Sequence, residues 1–197
     1  VLVVLITLLA FALRFPSPDR QLEYDEVISM LFAQKSLAQM VQATAADTMP
    51  PLYYGMLHLW SPGADNLFQA RLLSTLLGAA TIPVFYLLAR RLAVAATAVA
   101  ATALLAASPF HVFYGHYARM YALLALLAIL ATLFFIRWLQ GGRRRDLALF
   151  AVSAALSLYV HNLAFLLILG LDALFLAGYR RWPGDGVARA KELLVAH

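Results

Sequence analysis

Cysteine is absent from all 197 residues, which excludes disulfide frameworks and thiolate chemistry and leaves the compartment open. Charge is scarce as well. Asp and Glu number ten together, and charged residues form 13% of the chain against 63% hydrophobic ones. A soluble domain carries about a quarter charged residues, so a water-facing globule is excluded. No phosphate-loop glycine pattern, dinucleotide fingerprint, Ser-His-Asp spacing or Cys/His cluster occurs. That removes nucleotide-triphosphatase, nicotinamide and soluble-hydrolase readings. No fixed-period repeat, heptad or Gly/Ser linker is found either.

What is there is an integral membrane protein, with a mean hydropathy of +0.80. At roughly 20 apolar residues per crossing, the chain reads as an all-α polytopic protein with about six transmembrane helices. The spans fall at about 1–13, 67–89, 92–107, 118–138, 146–160 and 163–179. Residues 15–66 form an outer loop carrying short amphipathic helices at the membrane surface. One is expected over 26–41, from the spacing of Val27, Met30, Leu31, Leu37, Met40 and Val41. A second, 51–60, starts at Pro51 and brings Tyr53, Tyr54 and Trp60 to the interface. The apolar start lacks the basic region of a signal peptide and reads as a span whose beginning is missing. The chain is therefore expected to be a fragment: a transmembrane module over 1–182, then a connection over 183–197 leading to a missing carboxyl-terminal part.

The formal charge of +5 would raise the question of nucleic acid in a soluble protein. Here the basic residues sit at the ends of apolar segments, as Arg90-Arg91, Arg143-Arg144-Arg145 and Arg180-Arg181, without interleaved aromatics. They read as cytoplasmic topology determinants, and no nucleic-acid partner is expected. The loop over 15–66, the stretch 108–117 and the turn 159–162 then share the outer face. So do Asp25, Glu26, Asp47, His111, His116, Arg119 and His161.

Carboxylates beside lipid are costly and usually face a cavity, a partner or a substrate. Asp25 and Glu26 can cap a helix beginning near Val27, and a helix start also aims an acid at a cavity. Asp47, ahead of Pro50-Pro51, suits a turn. With Asp25 it could hold a divalent cation or divide the work of base and orienting group. The pair is too sparse for a self-contained metal site, so no metal ligands and no certain cofactor are assigned. Arg119 can snorkel to head groups or clamp a phosphate. His111 and His116 are five apart, unlike the helical zinc pair, and read as interfacial or substrate-contacting residues. His161 suits an interfacial hydrogen bond. Asp172 falls inside the sixth span and is either paired within the bundle or near its inner end.

Several stretches, in order, resemble one family. Tyr24-Asp25-Glu26-Val27-Ile28-Ser29 is similar to an acidic outer-loop motif. Asp47-Thr48-Met49-Pro50-Pro51-Leu52-Tyr53-Tyr54 matches an Asp-x-His-Pro-Pro-Leu-Tyr-Tyr segment, with Met49 in place of histidine. Arg71-Leu72-Leu73-Ser74, Ser108-Pro109-Phe110-His111 through Ala118-Arg119-Met120-Tyr121, and Tyr159-Val160-His161 follow. Tyr117 stands where the family often has glutamate, and Asn162 where an aromatic is usual. The chain resembles the amino-terminal half of a GT-C superfamily glycosyltransferase. Within that superfamily it is most similar to the bacterial branch related to protein O-mannosyltransferases and the lipid A aminoarabinose transferase.

The resemblance implies transfer of a sugar from a polyprenyl-phosphate donor to an acceptor hydroxyl on a protein, lipid or glycan. The reaction would occur at the outer face of a bacterial cytoplasmic membrane, with inversion. It implies Asp25 as base, Glu26 and Asp47 as supporting acids, and Arg119 with His116 at the donor phosphate. Tyr53, Tyr54, His111, Tyr121 and His161 are candidate substrate contacts. A lipid-linked sugar flippase, a transporter or a membrane scaffold is the alternative. Transporters, however, place ionisable groups near the midplane of repeated halves.

Overall fold

A computed structural model of the chain describes residues 1–16, 21–47, 49–63, 65–178 and 193. Regular structure among them is helical throughout: α1 (Leu2–Arg14), α2 (Tyr24–Ala33), α3 (Leu37–Ala46), α4 (Leu52–Trp60), α5 (Leu67–Leu92), α6 (Ala95–Ala107), α7 (Pro109–Gly115), α8 (Tyr121–Gly141), α9 (Arg144–Leu158) and α10 (Ala164–Gly178). The pair Arg180-Arg181 and the connection over 183–197, apart from Leu193, lie outside the described residues.

Among the described residues, fewer helices than the six expected spans are long and apolar enough to cross a membrane on their own. By length and composition α5 and α8 can cross a membrane, and α6 with α7 gives a third crossing if the pair, bent by 57° at Ser108, is one span. The helices α1 and α10 are apolar but only 13 and 15 residues long. At about 1.5 Å per residue the described part of each is shorter than a hydrocarbon core about 30 Å thick. Helix α9 spends its first turn on Arg144, Arg145 and Asp146. Outward leucines on α1 (Leu2, Leu5, Leu8, Leu9) and on α10 (Leu166, Leu169, Leu176) are more than half exposed, as an apolar solvent allows.

The bundle is built on α5, which packs against α1, α6, α7 and α8, while α8 also packs against α9 and α10. Pro83 lies within α5, where neighbouring helices can re-satisfy the freed carbonyl. Near the other end of α5, Leu88 joins Leu133, Phe135, Trp138, Phe150 and Phe175 in one core.

The loop differs from expectation in two respects. The single helix over 26–41 is two helices, α2 and α3, because Ser36 starts a new one. Its hydroxyl accepts from Gln39 N–H at 3.4 Å, and Gln39 Oε1 accepts from Ser36 N–H at 3.3 Å, a reciprocal capping box. Helix α2 begins at Tyr24 after Glu23, not near Val27, so Asp25 and Glu26 occupy its first turn. The second difference concerns Tyr53 and Tyr54. Both rings are fully buried, packed with Ala33, Met40, Leu57, Leu73 and Met120 rather than laid on the interface.

One charge is buried where α1 meets the break between α6 and α7. Arg14 has no exposed surface. It donates to Ala10 O at 2.8 Å, to Ala106 O at 3.1 Å and to His111 Nδ1 at 2.7 Å. Ala106 lies in the last turn of α6, where carbonyls lack intrahelical partners, and Arg14 itself lies in the last turn of α1. Each of these helix ends carries roughly half a negative charge, so two dipoles together face one cation. Arg14 passes against Gly115, where an added Cβ would lie 2.6 Å from Arg14 Cδ.

Candidate functional site

The polar residues gather at the end of the bundle where α1 stops and α5 and α8 start. Glu26 anchors it. Arg71 donates from Nε to Glu26 Oε1 at 2.9 Å and from a terminal nitrogen to Oε2 at 2.7 Å. Ala118 N–H reaches Oε1 at 3.0 Å and Glu23 N–H reaches Oε2 at 3.2 Å. Glu26 has no exposed surface. Burial pushes its pKa up, but the Arg71 hydrogen bonds, the two backbone N–H groups and the Arg71 charge outweigh it. The net result is a pKa below the ordinary glutamate value. Arg71 also donates to Gln21 O at 2.8 Å. One ion pair thus joins α2, α5 and the turn before α8.

Asp25, one residue away, is placed differently. Its side chain is 45% exposed, and Oδ2 lies 3.7 Å from a terminal nitrogen of Arg119. Arg119 is itself buried. It donates to Tyr54 Oη at 3.3 Å, and its Nε has no hydrogen-bond partner. The turn holding it is tight, with Arg119 N–H on Tyr117 O at 2.6 Å. Burial raises the Tyr54 pKa, opposed by Arg119 and assisted by Asp47 and Asp25. Burial likewise pushes Tyr117 up to about 12, with further contributions from Asp25, Glu26 and Glu23. Both phenols remain neutral hydrogen-bonding groups at neutral pH.

The other candidates are distributed around this centre. Asp47 is exposed at the C-cap of α3 and bears on Tyr54 through its charge. Tyr53 turns inward, its hydroxyl 2.9 Å from Ser74 Oγ, and burial raises its pKa. His116 follows α7, its ring centroid 6.2 Å from that of Phe113. His111 is committed to Arg14. A guanidinium only donates, so Nδ1 accepts and Nε2 carries the proton; that nitrogen is buried without a partner. Tyr121 lies with Tyr114 at 4.6 Å and with His161 at 6.3 Å between ring centroids. Among the described residues no three His, Asp or Glu side chains gather in a metal-binding group.

Beside the polar centre, α7 and α8 enclose an apolar groove of about 410 Å³, walled by Phe110, His111, Tyr114, Tyr121, Ala125 and Ala128. Tyr121 is two residues from Arg119 and connects the two regions. The arrangement can accept a proton at Asp25, stabilise an anion at Arg119 and hold an apolar chain in the groove.

Two arginines were not among the predicted site residues. Arg71 lies in the second turn of a long apolar helix, and the same cost that singles out Asp25 marks it. Arg14 ends an apolar segment, which is where arginines commonly reach for water, so no local signal marks its burial.

Residues 50–194 match the family model described as dolichyl-phosphate-mannose-protein mannosyltransferase. The matched stretch contains Tyr54, Arg71, Arg119 and His161 and begins after Asp25, Glu26 and Asp47. No curated protein and no solved structure matches the chain.

Proposed function

The chain belongs to the dolichyl-phosphate-mannose-protein mannosyltransferase family, a family of membrane glycosyltransferases, and from that premise we propose a specific reaction. A sugar moves from a polyprenyl-phosphate donor to an acceptor hydroxyl on the outer face of the membrane, with inversion at the anomeric carbon. Asp25 takes the proton from the acceptor hydroxyl as its oxygen attacks the anomeric carbon. The bond from that carbon to the donor phosphate breaks, and the lipid phosphate departs with the electron pair. Arg119 meets the developing charge, with His116 beside it. A single base and direct displacement invert the centre, unlike the two-carboxylate retaining glycosidases.

The observation that carries this reading is the pairing of half-exposed Asp25 with buried Arg119 at 3.7 Å. A carboxylate open to an acceptor stands next to a guanidinium closed to water, and Arg119 is two residues from Tyr121, which walls an apolar groove fit for a lipid tail. Glu26, with both oxygens occupied, is a positioning residue in this scheme. Asp47 supports through its charge.

The test is release of polyprenyl phosphate by the full-length protein in membranes. Asp25→Asn should abolish transfer while the protein inserts and folds normally. Full activity in that variant would overturn the role of Asp25.

A further inference from the structure

The opposite end of the bundle holds a second polar cleft. Arg91 at the end of α5, Arg137 and Gln140 in the last turns of α8, and Arg143 and Asp146 at the start of α9 line a space of about 190 Å³. Its shape depends on Gly142, whose φ of 63° turns the chain sharply between α8 and α9. Gln140 Nε2 donates to Arg91 O at 3.2 Å and ties α8 to the end of α5.

Three guanidinium groups and one carboxylate line this cleft. Asp146 is buried, and its Oδ1 lies 3.0 Å from Arg137 Nε. The contact is close but not aligned, so Oδ1 accepts no hydrogen bond. Cytoplasmic topology signals explain arginines at this end of the helices. They do not explain convergence of three guanidinium groups on one cleft around a buried carboxylate.

We infer that this cleft binds the head group of an anionic phospholipid. The phosphodiester is held by Arg91, Arg137 and Arg143, and a head-group hydroxyl donates to Asp146. Guanidinium groups suit phosphate oxygens, with paired hydrogen bonds and a permanent charge. The carboxylate adds a preference for a head group that carries hydroxyls. The location favours a lipid over a soluble anion, because the cleft sits at the ends of α5 and α8, the two helices long enough to cross the bilayer. Basic pockets between helices at a membrane boundary are where anionic head groups dock. The inference does not rest on the transferase reading.

The test measures the thermal unfolding midpoint of the full-length protein in neutral detergent. Phosphatidylglycerol, phosphatidylcholine or inorganic phosphate is added. Phosphatidylglycerol should raise the midpoint saturably, and the rise should weaken with salt. Arg91→Gln/Arg143→Gln removes two exposed side chains and should weaken the apparent affinity at least about tenfold, with the lipid-free midpoint unchanged. Arg91→Gln alone is the second variant should the double variant not fold. Arg90→Gln/Arg145→Gln removes equal charge outside the cleft and should leave the affinity intact. Equal loss in that control, or an equal rise with phosphatidylcholine, overturns the site. A full rise with inorganic phosphate alone overturns the lipid as its occupant.

Discussion

Both oxygens of Glu26 are held by the guanidinium of Arg71, at 2.9 and 2.7 Å, where neither residue is open to solvent. The neighbouring carboxylate of Asp25 reaches its own arginine at only 3.7 Å and is nearly half exposed. Adjacent residues on one helix point about 100° apart, and here that separation divides a fixed anion from an accessible one. The two positions should therefore fail in different ways when altered.

Removing one partner of the buried pair strands the other. Glu26→Ala or Arg71→Ala should each destabilise the fold by about 3–5 kcal/mol. Replacing both with apolar residues of similar volume should recover much of that loss. Denaturation of the purified variants measures it, and single variants as stable as the parent would count against a structural role for the pair.

Acid should act on the same residue. The folded pKa of Glu26 lies below its ordinary value, so its contribution is complete above the unfolded value of about 4.3. That contribution disappears as pH falls through the lower folded value. Glu26→Gln should flatten the acid limb of the stability profile, as read by unfolding midpoints across that range.

Asp25→Asn should cost less stability than losing either member of the Glu26–Arg71 pair, since Asp25 is nearly half exposed and lies 3.7 Å from Arg119, although that buried guanidinium loses its carboxylate neighbour. Its effect belongs in turnover, where loss of a general base costs about 10²–10⁴-fold. Comparing the unfolding midpoint and the transfer rate of one preparation separates the two.

At Arg119 the geometry of the charge matters as well as its sign. Arg119→Lys keeps the cation but loses the planar fork, and turnover should fall by about 10²-fold or more, as for removal of one donor to a developing anion. Single-turnover measurements with saturating donor would reveal this as slower chemistry. A rate equal to the parent would remove Arg119 from the leaving-group site.

Gly115→Ala would place a methyl 2.6 Å from Arg14 Cδ, whereas at Gly55 an added methyl meets nothing within 4 Å. The first change should destabilise by about 1–3 kcal/mol through overpacking. The second should stabilise slightly, because alanine favours a helix by about 0.8–1.0 kcal/mol over glycine. Thermal unfolding of the two variants side by side tests the contrast.

Part of this organisation was legible in the residues alone. Asp25, Glu26 and Arg119 stood out because a charge in an apolar chain is conspicuous, and they lie together at one end. The partner of Glu26 was not legible, since Arg71 stands 45 positions away and no spacing rule encodes a tertiary pair. Tyr53 and Tyr54 show the limit of composition. A tyrosine suits an interface or a core equally, and Ser74 and Arg119 as hydroxyl partners placed these inside. Between α2 and α3 the apolar rhythm runs on through a turn. The local signal was there in Ser36 and Gln39, a capping pair that overrides periodicity.

Arg14 also bears on the order in which the protein is assembled. Two of its three partners, Ala106 and His111, lie 92 and 97 residues further along the chain. While α1 is the newest helix in the membrane, its arginine can reach only Ala10 and must keep its charge near water. The final seating of α1 therefore waits for synthesis of the bent α6–α7 segment. Until then, α1 has not yet reached its place in the bundle.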